Sequence, residues 1–367
     1  MLKAPPAAPS LPKDETMAGN TKRIFYVRNL ASPPVYLEAI AKRPDVRIDK
    51  LENESTDEVA APILAEAHAY QIGSSRQELA PRFYASAALL ERTPNLLIVS
   101  TNGAGYDTVD VNDCTAAGVL VVNQAGGNKQ AVAEHVIGMM LTLTKRIVMV
   151  DRAMRREGKF DRQAFIGNDM FGKTIGVIGI GNVGGRVSEL CGGLFQMKVL
   201  AYDPYLTKEQ IAARGAEKVD RLDDIFRRAD FVSVHCPLTD ETRGMVGAAQ
   251  YALMQPHAYF ITAARGFIHD EAALADALHA NKIAGAGLDV WTDEPPPWTH
   301  PLLKFDNVIV SPHTAGVTVE TRQNMARIAA AQILDALDGK KPPRIVNPEV
   351  WPVYTERFAK AFGVRPG

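Results

Sequence analysis

A predicted strand, a glycine turn and a predicted helix follow one another directly between Thr174 and Gly184, in the run TIGVIGIGNVG. Gly179 permits a tight turn, Gly181 lets the backbone approach a bound group without an intervening Cβ, and Gly184 lets the helix pack close to the strand. The start of such a helix offers free N–H groups and a partial positive charge, which suit a pyrophosphate. The run therefore predicts a dinucleotide-binding βαβ unit.

An acidic residue follows the next predicted strand of this unit. The apolar run Lys198–Tyr202 leads into Asp203, which lies 24 residues after Gly179. A carboxylate at this place accepts hydrogen bonds from ribose hydroxyls and repels a 2′-phosphate, so the sequence predicts NAD rather than NADP. The alternative is a structural turn with an exposed aspartate, and neighbouring loops can override one acid in the choice of cofactor.

Short apolar runs alternate with helix-like stretches along most of the chain, which predicts parallel sheets covered by helices on both faces. Apolar residues recur at three- and four-residue steps over Gln130–Arg156, which predicts one long helix, and a further helix is expected at about 318–337. The predicted strands are Ile24–Val27, Val46–Ile48, Ala69–Ile72, Leu96–Ser100, Leu120–Val122, Thr174–Ile178, Lys198–Tyr202, Phe231–Val234, Tyr259–Thr262, Ala286–Val290 and Val308–Ser311.

Charge and cysteine content exclude several classes of protein. Lys and Arg number 41 against 42 Asp and Glu, so no overall field attracts nucleic acid or an anionic membrane. The three cysteines form no CxxC pair, which argues against a disulfide framework and a zinc site and favours a reducing compartment. The sequence shows neither an apolar run of transmembrane length nor a secretory signal, so a cytoplasmic protein is expected.

Three polar residues follow three successive predicted strands of the second half of the chain. They are Arg265, Glu294 and His313. A histidine suits general acid–base chemistry near neutral pH, an arginine suits a substrate carboxylate, and a carboxylate orients the histidine. Each residue alone has a structural explanation, and Asp293 competes with Glu294, but together they predict a catalytic site at the carboxyl ends of the strands.

With these features the sequence resembles the D-isomer-specific 2-hydroxyacid dehydrogenases, a family that includes D-3-phosphoglycerate dehydrogenase and glyoxylate/hydroxypyruvate reductase. The resemblance covers roughly residues 22–345. Its markers are STNGAGYD at 100–107, Asn128, VAEH at 132–135, GIGNVG at 179–184, HCPLT at 235–239, ARG at 264–266, LDVWTDEP at 288–295 and SPHTAG at 311–316.

The resemblance implies an α/β fold with a flavodoxin-like substrate domain at 22–123 and 317–347 and a Rossmann-type NAD-binding domain at 124–316. The active site is then expected in the cleft between the two doubly wound parallel sheets. Residues 1–21 are expected to form a disordered lead-in and 348–367 a C-terminal tail. The family is usually dimeric through the long helix, so a homodimer is expected.

The resemblance also implies the reaction, a hydride transfer between NAD(H) and C2 of a small 2-hydroxy or 2-keto acid. Arg265 would bind the carboxylate and carbonyl, and His313 would exchange the proton with Glu294 as its partner. The other implied substrate residues are Arg76, Asn128 and the backbone N–H groups of Asn102, Gly103 and Ala104. The implied cofactor residues are Gly179, Gly181, Asn182, Val183 and Gly184 at the pyrophosphate, Asp203 at the adenosine ribose, Cys236 and Pro237 beside the adenine or nicotinamide, Ala263 and Asp289 at the nicotinamide amide, and Gly316 against its ring.

The sequence departs from the phosphoglycerate branch where basic residues bind the substrate phosphate. Arg76 supplies one cation, but Ser74 stands where another is usual. The sulfur of Cys236 is better explained as part of a small buried hydrophobe with no redox role. Trp291 either narrows the pocket or packs against the sheet.

Three alternatives stay open. A glyoxylate or hydroxypyruvate reductase shares all of this chemistry, and an NAD-sensing corepressor on the same fold can keep the same residues without being an enzyme. Formate dehydrogenase is disfavoured because that branch has an amide where this chain has Glu294.

Overall fold

The computed structural model describes residues 21–74, 76–156 and 161–366. The expected lead-in at 1–21 therefore lies outside the described residues, apart from Thr21. The chain divides into two compact units, which we call unit 1 (Met1–Gln124 and Ala326–Gly367) and unit 2 (Ala125–Met325). No helix within the described ranges is long and apolar enough to span a membrane.

Apart from the two-residue strand Glu217–Lys218, the strands follow the apolar runs of the sequence. They are β1 Lys22–Val27, β2 Val46–Leu51, β3 Ala69–Ile72, β4 Ile98–Thr101, β5 Leu120–Val122, β6 Thr174–Ile178, β7 Lys198–Tyr202, β8 Glu217–Lys218, β9 Phe231–Val234, β10 Tyr259–Thr262, β11 Gly285–Leu288 and β12 Val308–Val310.

Helices alternate with these strands, as the sequence predicts. They are α1 Pro33–Ala41, α2 Asp57–Glu66, α3 Ala87–Leu90, α4 Val111–Ala116, α5 Lys129–Thr144, α6 Ile147–Arg156, α7 Asn182–Phe195, α8 Lys208–Ala212, α9 Leu222–Arg228, α10 Ala248–Leu253, α11 Glu271–His279, α12 Val319–Leu337 and α13 Trp351–Phe362.

Unit 1 is built on a parallel sheet with the strand order β2-β1-β3-β4-β5, the order of flavodoxin-like folds. Successive residues of β1 enter opposite cores: Ile24 packs with Tyr36 of α1, and Phe25 packs with Leu64 of α2. Every residue of β3 is buried, as expected for a strand covered on both faces. The flavodoxin-like prediction is confirmed.

The C-terminal segment differs from the expected tail. Residues 351–362 form α13, whose Tyr354 and Phe358 are buried in the same core as Ile24 of β1. The spacing of these two aromatic residues places them on one face of a helix, and unit 1 supplies an apolar surface for that face. The expectation of a separate tail is therefore wrong, and unit 1 resumes at Ala326 rather than at 317.

Unit 2 contains a parallel sheet with the order β12-β11-β10-β9-β6-β7-β8. The chain runs outwards from β6 to β8 and then crosses to β9 on the other side of β6, which is the Rossmann arrangement. The prediction of a Rossmann-type unit is confirmed. The two-residue strand β8 is too short to give a periodic signal.

The single helix expected over Gln130–Arg156 is wrong. The chain leaves α5 after Thr144 and starts α6 at Ile147, and Arg146 between them adopts a left-handed φ of 53°. The two helices differ in burial. Helix α5 buries residues such as Val136 in the core of unit 2, whereas α6 has no buried residue.

Candidate active site

The glycine loop joins β6 to α7. Gly179 has a φ of 84°, and a Cβ there would lie 2.7 Å from the backbone nitrogen of Cys236. A Cβ on Gly184 would lie 2.1 Å from the carbonyl oxygen of Gly179, so helix and strand touch at this point. Gly181 differs because a Cβ on it would meet no atom within 4 Å. The loop therefore leaves open space at the N-terminus of α7, where Asn182 and Val183 begin the helix.

This loop lies between β6 and β9, where the strand order of the sheet reverses, and such a switch point is where doubly wound sheets bind their ligands. Asp203 follows the neighbouring strand β7. One of its carboxylate oxygens accepts the N–H of Ile180 at 3.2 Å and the other accepts the N–H of Tyr205 at 3.1 Å. These two bonds fix the carboxylate beside the loop. Each oxygen keeps a lone pair for a further donor, so the carboxylate can also accept ribose hydroxyls.

Cys236 and Pro237 follow β9 on the other side of the loop. Burial raises the pKa of the Cys236 thiol to about 11, so it is protonated at neutral pH. This favours the interpretation of Cys236 as a small hydrophobe that packs against Gly179. Pro237 is exposed, and its carbonyl accepts the Thr242 hydroxyl at 2.7 Å.

His313 and Glu294, the predicted acid–base pair, are in contact. His313 Nδ1 lies 2.8 Å from Glu294 Oε2, and Glu294 Oε1 accepts the backbone N–H of Trp291 at 3.1 Å. Because the carboxylate takes the proton on Nδ1, Nε2 is the ring nitrogen left to exchange a proton with a substrate. The neighbouring Asp293 is exposed, so the geometry selects Glu294 over its competitor.

Opposing effects set the charge of Glu294. Burial raises the pKa of this carboxyl group, but the hydrogen bond and charge of His313, the Trp291 N–H and the charge of Arg265 together hold it below its usual value. Glu294 is therefore ionised at neutral pH. Arg265 is half-buried after β10, and its Nη1 donates to the Ala264 carbonyl at 2.7 Å, which ties the guanidinium to its own turn.

Asp289 shapes the segment that carries His313. His313 has a left-handed φ of 56°, and its N–H donates to the Asp289 carbonyl at 2.6 Å. The buried Asp289 carboxylate accepts the Ser311 hydroxyl at 2.6 Å and the N–H groups of Thr314 and Ala315 at 2.8 and 3.0 Å. These bonds hold an unfavourable backbone conformation in place. The role expected for Asp289 at a nicotinamide amide stays a prediction.

Other predicted residues of unit 2 lie near this segment. Asn128 is the residue before α5, and its Nδ2 lies 3.3 Å from where a Cβ on Gly316 would be. His135 of α5 lies 2.9 Å from the Ser311 hydroxyl. Ala263 is partly buried after β10. The start of α5 thus borders the carboxyl ends of these strands.

Arg76 of unit 1 already has partners in the fold. Its Nε donates to the Asp107 carbonyl at 2.7 Å, and its guanidinium lies 5.8 Å from the centre of the Tyr84 ring. The side chain is nevertheless exposed. Ser74 faces Gly103, since its hydroxyl lies 3.4 Å from where a Cβ on that glycine would be.

The backbone donors predicted at Asn102–Ala104 need a correction. The N–H of Asn102 donates to the Ile72 carbonyl at 2.8 Å, and the N–H of Gly103 donates to Gln124 Oε1 at 2.6 Å. The first bond continues the pairing of β4 with β3, and the second joins the segments that follow β4 and β5. Ala104 is the one member of the three whose N–H has no partner within the described part of the chain.

Sequence reasoning missed Glu271 and His300 and left two explanations for Trp291. Trp291 is buried, and its indole N–H donates to the Ser311 carbonyl at 3.0 Å, so it packs against the sheet. Glu271 and His300 contact each other at 3.1 Å. A carboxylate in the first turn of α11, soon after Arg265, is the one sequence signal that could have marked Glu271.

A Rossmann-type sheet with an arginine and a glutamate–histidine pair beyond its carboxyl edge defines a dinucleotide-binding α/β protein equipped for acid–base chemistry. Residues 137–315 match the family model described as D-isomer specific 2-hydroxyacid dehydrogenase, NAD binding domain. The chain belongs to the D-isomer-specific 2-hydroxyacid dehydrogenase family.

Named relatives are similar over most of the chain. The D-3-phosphoglycerate dehydrogenase of Archaeoglobus fulgidus is 40% identical over 311 residues, which is 79% of this chain and 58% of that protein. The glyoxylate reductase of Thermofilum pendens is 38% identical over 268 residues, 72% of this chain and 78% of that protein. This chain thus spans little more than half the length of the first relative.

A solved structure supports the fold. D-lactate dehydrogenase from Aquifex aeolicus, complexed with NAD and lactic acid, superposes with a TM-score of 0.73 at 26% identity. The match covers 88% of this chain and 98% of that one.

Proposed function

We propose that this protein is an NAD-dependent D-2-hydroxyacid dehydrogenase. It would transfer a hydride between nicotinamide and C2 of a small 2-hydroxy or 2-keto acid. The observation that carries the proposal is the contact of 2.8 Å between His313 and Glu294 beyond β11 and β12, with Arg265 beyond the neighbouring strand β10.

In the direction of reduction, Arg265 binds the carboxylate of the keto acid through its guanidinium. Bound NADH would supply the hydride to C2. His313 donates the proton on Nε2 to the carbonyl oxygen, and the Glu294 carboxylate stabilises the ring while it is charged. In oxidation His313 accepts this proton from the hydroxyl group. One proton and one hydride thus convert the carbonyl to an alcohol.

The cofactor is supported by the geometry of the glycine loop. The open space at Gly181 and the start of α7 suit a pyrophosphate, with Asn182 and Val183 as N–H donors. The fixed carboxylate of Asp203 suits the ribose hydroxyls of NAD and repels the 2′-phosphate of NADP. Cys236, Pro237, Ala263, Asp289 and Gly316 complete the proposed nicotinamide and adenine surroundings.

The substrate class is supported by the relatives, which include phosphoglycerate dehydrogenases and glyoxylate reductases. We propose a phosphoglycerate dehydrogenase-like activity in which Arg76 supplies a cation for a phosphate and Ala104 donates its N–H to the carboxylate. The second candidate is a glyoxylate or hydroxypyruvate reductase. Two observations favour this candidate. Arg76 Nε already donates a hydrogen bond to the Asp107 carbonyl, and Ser74, two residues before Arg76, carries no charge.

We further propose a cytoplasmic homodimer formed through α5 and α6. Support comes from α6, which exposes 52% of Ile147 and 61% of Met154, because such apolar residues are usually covered by a partner when they lie together. The three free cysteines suit a reducing compartment. Light scattering should give the mass of a dimer for the wild type and of a monomer for Met154→Asp.

The first test is the oxidation of NADH or NADPH, followed at 340 nm, with glyoxylate, hydroxypyruvate, phosphohydroxypyruvate and pyruvate. Turnover with NADH and one preferred acid is expected, and the preferred acid separates the two candidates. Tight NADH binding without turnover of any acid would instead favour the NAD-sensing corepressor.

A further inference from the structure

One carboxylate holds both ends of the segment that carries Glu294. We call this segment, Trp291–His300, the Glu294 loop. Glu271 in the first turn of α11 accepts the backbone N–H of Thr292 at 2.6 Å through Oε1. Its Oε2 lies 3.1 Å from His300 Nε2 at the other end of the loop. The side chains of Glu271 and His300 are only 13% and 15% exposed, so water competes weakly for these bonds.

The hydrogen bonds fix the proton on His300. Its Nδ1 accepts the backbone N–H of Leu302 at 3.3 Å, so the proton lies on Nε2 and is donated to Glu271. Each oxygen of Glu271 therefore accepts a bond from a different donor. A glutamine at this position would keep one acceptor and turn an N–H₂ group towards the second donor, so it would lose one of the two bonds.

We call the bonds of Glu271 to Thr292 and His300 the clamp. Trp291 connects the clamp to the acid–base pair. Its backbone N–H donates to Glu294 Oε1 at 3.1 Å, and its indole N–H donates to the Ser311 carbonyl at 3.0 Å. Its ring meets His300 edge to face, with 5.2 Å between the ring centres. A Cβ on Gly266 would lie 1.9 Å from the Trp291 carbonyl oxygen, so the turn after Arg265 packs directly on the loop.

We propose that Glu271 and His300 are positioning residues for the acid–base pair. By holding both ends of the Glu294 loop they keep the Glu294 carboxylate against His313. Neither side chain contacts a reacting atom in this account. The inference rests on the proposed function, because it assigns these two residues to the same dehydrogenase site.

Glu271→Gln tests the clamp. We expect kcat to fall roughly ten- to hundredfold, because a small displacement of a catalytic group has effects of this size. The KM for NADH should stay unchanged, since no residue of the glycine loop takes part in the clamp. Asp276→Asn is the matched control: it removes the same charge from an exposed position of α11, and it should behave as wild type.

A pair of variants at His300 tests the same point. Gln places an N–H donor near the position of the histidine Nε2, whereas Leu has no donor. We expect His300→Gln to retain most of the kcat and His300→Leu to lose it to the extent that Glu271→Gln does. Equal losses in both would contradict the clamp and point to packing of the ring alone.

The double variant Glu271→Gln/Glu294→Gln separates positioning from general damage. If the clamp acts through Glu294, Glu271→Gln should lower kcat little further once that carboxylate is gone. The same fold-loss in both backgrounds would overturn the proposal.

NMR of the His313 ring tests the clamp without catalysis, so its result does not depend on the proposed activity. The ¹⁵N shifts of the His313 ring, assigned with His313→Gln, report which nitrogen carries the proton. In the wild type they should show the proton on Nδ1, and in Glu271→Gln a mixture of both forms. Unchanged shifts would refute the clamp, whereas an inactive wild type with this shift change would refute only the proposed function.

Discussion

The glycine loop differs in construction from the edge of the same sheet that carries Arg265, Glu294 and His313, which we call the catalytic edge after its proposed role. The glycine loop is contiguous in sequence, and its shape comes from the backbone of Gly179, Gly181 and Gly184. The catalytic edge brings together side chains that are far apart in sequence; His313 and Glu294 are separated by 19 positions. We therefore expect an added methyl group to impair cofactor binding or stability at the glycine loop. Loss of a hydrogen-bonding atom should lower kcat at the catalytic edge.

The largest effect should follow removal of the proton-transfer group. In His313→Ala we expect kcat to fall by about a thousandfold or more, within the range found for general acid–base groups. The Kd for NADH, measured by fluorescence titration, should stay near the wild-type value. Loss of NADH binding together with kcat would show that the two regions are not separable, and a near wild-type kcat would exclude His313 as the acid.

Exchanging the partner of His313 should have the next largest effect. Glu294→Gln keeps the shape and removes the charge, so we expect kcat to fall about a hundredfold. Asp293→Asn removes the neighbouring charge from an exposed side chain and should leave kcat within about twofold. An equal fall of kcat in the two variants would contradict the specific pair, because it would show that any nearby negative charge supports His313.

Two alanine substitutions in the glycine loop should have different effects, one on NADH binding and one on stability. Gly181→Ala points into open space, so the midpoint of thermal unfolding should stay unchanged while the Kd for NADH rises about tenfold or more. Gly184→Ala places a Cβ 2.1 Å from the Gly179 carbonyl and should lower the free energy of unfolding by about 1–3 kcal/mol. Equal losses of stability in both variants would contradict the proposal that the open space at Gly181 receives the cofactor.

The smallest effect concerns a histidine that the catalytic edge does not use. His269 lies between Arg265 and α11, is 3% exposed, and neither ring nitrogen has a partner among the described residues. Burial lowers its pKa from 6.5 to about 4. Replacing such a group by an apolar one is neutral or stabilising, so His269→Leu should raise the free energy of unfolding by up to about 1 kcal/mol at pH 7.5.

The same histidine predicts a dependence on pH. Below pH 6.5 the unfolded chain binds a proton at His269 that the folded chain does not bind until about pH 4. The free energy of unfolding therefore falls as the pH drops from 6.5 to 4, by up to about 3 kcal/mol. Urea unfolding at several pH values should show a shallower fall for His269→Leu. Parallel curves for both proteins would contradict the shift.

Features that depend on neighbouring residues could be predicted from the sequence. The bounds of β3, β5, β6, β7, β9 and β10 agree with the prediction, because buried parallel strands are short apolar runs. The glycine loop, Asp203 and the three catalytic candidates can be recognised for a similar reason, because each follows such a strand within a few residues. Their chemistry needs no knowledge of distant contacts.

Features set by distant contacts could not be predicted in this way. The break after Thr144 separates α5, which packs into the core of unit 2, from α6, which has no buried residue. Helix α13 forms because unit 1 supplies a surface for Tyr354 and Phe358. The Glu271 carboxylate meets Thr292 and His300 across 21 and 29 positions, a match of hydrogen-bonding groups that no local pattern encodes. The engaged N–H groups of Asn102 and Gly103 belong to the same class.

We propose that this edge holds a 2-keto acid so that C2 receives a hydride from NADH and the carbonyl oxygen receives a proton from His313. The most direct test is to reduce a keto acid that gives a chiral product, such as hydroxypyruvate, with NADH that carries deuterium at both C4 positions, and to analyse the product by chiral chromatography and mass spectrometry. We expect a D-2-hydroxy acid with deuterium at C2 from the wild type, and no such product above background from His313→Ala. An L-hydroxy acid, or a product without deuterium at C2, would contradict it.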